Sequence, residues 1–113
     1  MKRIWIITSL FTATYAMAHS PTDATAKELD TYTEIKVFHA SDDPNHYVKH
    51  VTIKRDGITY IDKTFDAQTD NRSLDIQITH PRARRKRIKR GMTILVEATC
   101  SRQGTLSKQV KVD

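Results

Sequence analysis

The stretch "MTILVEATC", residues 92 to 100, constrains the fold more than any other. Its apolar side chains, Met92, Ile94, Val96, Ala98 and Cys100, fall on every second position. A strand points successive side chains to opposite faces, so this spacing buries one face of a β-strand and cannot form the apolar stripe of a helix. The same alternation recurs in "EIKVF", with Ile35 and Val37 on one face, and in "SLDIQIT", with Leu74, Ile76 and Ile78. "TLSKQVKV" places Leu106, Val110 and Val112 inward. "HYVKHVTIKR" and "ITYIDKTF" flank Asp56-Gly57, a dipeptide suited to a two-residue hairpin turn.

These runs predict six or seven short strands in an all-β, antiparallel, immunoglobulin-like β-sandwich over residues 34 to 113. Tyr47, Tyr60 and Phe65 are read as packing residues. "HASDDPN", "AQTDNR" and "SRQG" are read as connections. Residues 19 to 33 are read as a polar leader, with one helical turn capped by Thr22 or Asp23.

The N-terminus carries a different signal. Lys2 and Arg3 precede the apolar "IWIITSLFTATYA", and Ala16-Met17-Ala18 has the small-x-small form of a cleavage site. Residues 1 to 18 are therefore expected to be a signal peptide, which implies a periplasmic or secreted protein that does not span the membrane after cleavage. An exported small domain commonly relies on disulfides, yet Cys100 is the only cysteine. That leaves it as a buried spectator, a cross-link between chains, a metal ligand or a reactive thiol.

Removing residues 1 to 18 leaves 17 basic against 13 acidic residues. Seven of the basic ones, Arg82, Arg84, Arg85, Lys86, Arg87, Lys89 and Arg90, stand in the single run "RARRKRIKR". The basicity is thus a local patch. Export argues against nucleic acid as its partner and leaves a solvated loop or a surface that steers anions. An acidic protein or anionic lipid headgroups are the partners such a patch would dock.

All five histidines, His19, His39, His46, His50 and His80, lie beyond the cleavage site. His39 ends one strand and His46 begins the next, so the loop between them returns both to one rim. His46 and His50 share a strand face but stand about 13 Å apart, too far to share an ion easily. His50 is read as a surface or core-edge residue, and His80, ahead of Pro81, as a strand end.

"HASDDPNHYVKHVTI" resembles the His-loop-His-Tyr-Ile segment of superoxide reductases and of the iron domain of desulfoferrodoxins. "VEATCSRQGT" resembles that family's Cys-Asn-x-His-Gly motif at the end of a late strand. The resemblance covers residues 34 to 113 and implies a mononuclear non-haem iron bound by four equatorial histidines and an axial cysteine thiolate. Such a centre reduces superoxide to hydrogen peroxide with an electron from a separate donor. Carried over by position, Cys100 is the axial ligand, with His39 and His46 equatorial.

The chain departs from the pattern at several points. Gln103 stands where the family has its last histidine, His50 where it has a tryptophan, and the loop after His39 is one residue longer. Nothing in "TAKELDTYTEIKV" matches the segment with the family's first histidine and its lysine over the iron. His50, His80 and His19 are the remaining candidates to complete the ligand set. His19 also opens a copper alternative, because cleavage after Ala18 would expose a terminal amine beside its own imidazole. That pairing resembles the N-terminal copper sites of copper monooxygenases and periplasmic copper carriers. A non-catalytic binding module that keeps only the fold is the third expectation.

Overall fold

The structure, a computed structural model, describes residues 20–102 and 104–113. The expected signal peptide and His19 lie outside the described residues, as does Gln103. Among the described residues, seven strands form two antiparallel sheets. β1 (Asp23–Glu28), β2 (Tyr32–Phe38) and β5 (Ser73–Thr79) make a three-stranded sheet in the order β1-β2-β5. β3 (Val48–Arg55), β4 (Ile58–Thr64), β6 (Thr93–Cys100) and β7 (Thr105–Lys111) make the second, in the order β4-β3-β6-β7. A 3-10 turn at Arg84–Lys86 is the one helical element among the described residues, and no helix there is long and apolar enough to cross a membrane.

The all-β sandwich and its strand boundaries follow the alternation, with one correction. The polar leader is not a leader with a helical turn. Its residues 23 to 28 form β1, registered against β2 from Asp23↔Phe38 to Glu28↔Thr33. The signal was a weak alternation: only alanines, Ala24 and Ala26, stand on the inward face, both 2 % exposed. Small side chains suit that edge, because β1 also meets the chain just after β7, through an isolated bridge between Ala26 and Val112. Asp113 N–H donates to Ala26 O at 2.9 Å and Glu28 N–H to Asp113 O at 2.8 Å, closing this side of the sandwich.

The core is the sum of the inward faces: Ile35 and Val37 from β2, Val51 and Ile53 from β3, and Ile94, Val96 and Ala98 from β6, all 0 % exposed. Leu74, Ile76 and Ile78 of β5 and Val110 and Val112 at the end of the chain complete it. Tyr60, Phe65 and Leu106 pack against its margin, half-buried. The Asp56-Gly57 turn has φ of 49° and 79°, the left-handed pair that a tight hairpin needs.

β3 carries a bulge beside the rim. Val48 pairs with Cys100, but the next pair is His50 with Thr99, so Lys49 is the extra residue. Without it, the parity of Val51 and Ile53 would turn Lys49 inward. With it, Val48 is buried, while Lys49 is exposed and His50 half-buried.

A buried cluster of two histidines and a cysteine

The inward stripe of β2 runs Thr33, Ile35, Val37, and its next member is His39. The stripe of β6 runs Ile94, Val96, Ala98 and ends on Cys100. Two residues ahead of Val48, the innermost residue at the start of β3, stands His46. Each stripe thus continues into a residue type able to ligate a metal, at the same end of the sandwich. The three are buried, at 1 % (His39), 9 % (His46) and 3 % (Cys100) exposure. One ligand atom from each lies within 4.8 Å of the others. The imidazoles meet edge to face, with centroids 4.6 Å apart and planes at 84°.

The donor set fits a transition metal. Zinc bonds to imidazole nitrogen at about 2.0–2.1 Å and to thiolate at about 2.3 Å. Donors sharing one such ion tetrahedrally stand about 3.5 Å apart, a small contraction of the present cluster. Two imidazoles and a thiolate suit iron, copper and zinc alike. Burial of Cys100 also removes it as a ready cross-link between chains.

Three residues hold the cluster in shape, and sequence reasoning passed over all of them. Gln68, in the connector read as "AQTDNR", donates its amide N–H to His39 O at 2.9 Å and to Asp70 O at 3.1 Å. Those contacts fix the amide so that its oxygen accepts from Val48 N–H at 3.0 Å and meets His39 Nδ1 at 2.5 Å. An amide oxygen only accepts, so Nδ1 carries the proton and the lone pair of the neutral ring lies on Nε2. This is the outer-sphere arrangement that orients a histidine for a metal.

Ser101 brackets His46. Its Oγ accepts from Tyr47 N–H at 3.1 Å and donates to Asn45 O at 3.0 Å, while its N–H donates to Tyr47 O at 2.8 Å. Arg102 joins the same two loops. Its N–H donates to Cys100 Sγ at 3.5 Å, and its guanidinium reaches Asp43 Oδ2 at 2.5 Å. Residues directly after a candidate ligand can be found by adjacency. Gln68 has no such signal: the Phe38↔Ser73 pairing and the bond from Phe65 N–H to Lys49 O bring its loop to His39.

A cleft of about 380 Å³ opens beside the cluster, with His46, Tyr47 and Gln68 in its wall and Asp42, Asp43 and Asp70 around it. The backbone N–H groups of Arg72 and Ser73 hold the Asp70 carboxyl below its usual range.

The other expected residues lie elsewhere. His50 projects from the outer face of β3, where Asp62 Oδ1 lies 2.7 Å from Nε2 and Thr64 Oγ1 lies 2.9 Å from Nδ1. His80 closes the far end of β5, its Nε2 donating to Leu29 O at 2.7 Å. The basic run is also at the far end, between the last residue of β5 and the first of β6. The length of β6, eight residues at about 3.3 Å each, separates it from Cys100. That exceeds a Debye length of about 8 Å at physiological ionic strength, so the run is badly placed to steer anions to the cluster. Comparison of the chain with protein-family models, curated proteins and solved structures returned no match.

Proposed function

We propose that this protein is a metal-binding β-sandwich whose mononuclear centre is held by His39, His46 and Cys100, and that it works as a superoxide-reductase-like iron protein. The observation that carries the reading is the burial of two imidazoles and a thiol with ligand atoms within 4.8 Å, at the rim where three core stripes end. Bound iron would supply one-electron chemistry, and the Cys100 thiolate would raise its electron density. The chain's own residues supply the rest. Gln68 sets the tautomer of His39, Ser101 fixes the loop of His46, and Arg102 N–H meets the sulfur. The electron comes from a separate donor.

The test is metal content by mass spectrometry on untagged protein, followed by the visible spectrum after oxidation. The expected result is about one iron per chain, with a long-wavelength thiolate-to-iron band, both lost in Cys100→Ala. Protein free of iron after growth in iron-replete medium would end the iron reading.

A second reading is favoured by a specific observation, the carboxylates of Asp42 and Asp70 beside the cleft, with Asp43 held by Arg102. Such carboxylates draw cations and repel superoxide. On this reading the protein binds a metal, copper included, without redox turnover. Copper binding without superoxide consumption would select it. Loss of that copper on His19→Ala would assign it to the N-terminal amine and imidazole, and its retention would assign it to the buried cluster.

A further inference from the structure

The basic run is a built surface. Ile88 is 1 % exposed and anchors the loop in the core, with its carbonyl oxygen accepting from Thr33 Oγ1 at 3.5 Å. Arg87 reaches Glu28 Oε2 at 3.0 Å, and Arg90 N–H donates to Glu28 Oε1 at 3.0 Å. Both oxygens of Glu28 are thereby engaged with the loop itself. Arg55 donates to Arg85 O at 3.0 Å from the β3–β4 hairpin. On this pinned frame Arg82, Arg84, Arg85, Lys86, Lys89 and Arg90 are all exposed. Among the described residues, none of these six side chains takes part in an ion pair.

The opposite pole is mixed in charge. Around the cluster stand Asp42, Asp43, Asp66 and Asp70 together with Lys36, Lys49, Arg72 and Arg102, and Arg102 pairs with Asp43. The concentrated positive charge is therefore at the loop end, away from the candidate metal cleft.

We propose that the loop from Arg82 to Arg90 docks this domain on an anionic phospholipid surface, with the His39–His46–Cys100 end facing away from it. The chemistry of the loop favours that occupant. It contains no aromatic side chain on which a nucleobase would stack, and its one large apolar residue, Ile88, is buried and cannot anchor a protein interface. What remains is positive charge on a rigid tip, which suits a surface of many anionic headgroups that rearrange around it. Basic side chains at such a surface each strengthen binding by about fivefold.

The test is sedimentation of the full chain with vesicles of phosphatidylglycerol and phosphatidylcholine, compared with phosphatidylcholine alone. The N-terminal segment, which carries Lys2 and Arg3, is the same in wild type and variants, so the difference between them reads the loop. The triple variant Arg84→Ser/Arg85→Ser/Lys86→Ser removes three exposed charges and no described buried contact. The expected result is a preference for the anionic vesicles that falls about a hundredfold in the triple variant and weakens with salt. In Lys49→Ser/Arg72→Ser, which removes two exposed charges from the cluster end, the preference stays. Equal binding by the triple variant, or no preference for anionic vesicles, overturns the proposal. Tighter binding to a single-stranded oligonucleotide than to the vesicles overturns it in favour of nucleic acid. Metal content is not a readout, so this test stands or falls separately from the function of the cluster.

Discussion

The side-chain oxygen of Gln68 accepts the Nδ1 proton of His39 at 2.5 Å while its amide nitrogen donates to the same residue's carbonyl at 2.9 Å. A single side chain thus fixes both the backbone and the ring of a candidate ligand, across 29 positions of sequence. Gln68→Leu removes these two bonds and the one from Val48 N–H. The expected outcome is a 10- to 100-fold loss of metal affinity by calorimetric titration, typical of outer-sphere changes at metal sites (about that range). Unfolding by denaturant should show a cost of about 1–3 kcal/mol. Unchanged affinity would show that His39 does not bind through Nε2.

Ser101 serves His46 as Gln68 serves His39, but through the backbone on either side of it. Ser101→Ala removes the hydroxyl and keeps the N–H bond to Tyr47 O. A stability cost of about 1 kcal/mol is expected. Metal affinity should fall while metal stoichiometry is kept, and the two are read in one titration. A fall in stoichiometry would mean that the loop has collapsed.

Gly104 is required by both its backbone and its surroundings. Its φ is 97°, and a Cβ there would stand 2.2 Å from Ser20 Oγ and 2.9 Å from Ser20 Cα. Its carbonyl also receives Cys100 N–H at 3.0 Å. Gly104→Ala should lower stability by about 1–3 kcal/mol. It should also displace the amide resonances of Ser20 and Cys100 in a heteronuclear spectrum. Unmoved resonances at Ser20 would show that the turn tolerates a side chain.

Acid should loosen the basic loop before it unfolds the core. Glu28 is held below the usual carboxylate range, first by Arg90 N–H and then by Arg87, against a partial opposing effect of burial. Its folded-state value is depressed, so its contribution is fully present above the unfolded value and is lost as pH falls through the folded value. Below that window the wild type and Glu28→Gln should converge in stability. At neutral pH the variant should be the less stable, by thermal unfolding across pH. A gap that persists in acid would assign the effect of Glu28 to packing.

Period-two patterning fixed the strands beforehand because a sandwich strand has one buried face, and that face is written in its own residues. The parity of Ile94, Val96 and Ala98 reached Cys100, and the loop signals around "SDDPN" placed His39 and His46 at one rim. β1 escaped because its inward residues are alanines, which mark a close approach to β7 that no local pattern declares.

Local sequence stopped where burial depends on partners. The register of β2 with β5 brought Gln68 to His39, and the bulge at Lys49 turned Val48 inward and left His50 outside. The separation of the basic loop from the cluster was likewise decided by which ends of β5 and β6 share a pole. The sequence by itself determined which residues face inward along each strand, because that is a property of consecutive side chains. Only the tertiary structure decided which inward residues meet, because pairing register, bulges and closure between sheets are set by chain segments far apart.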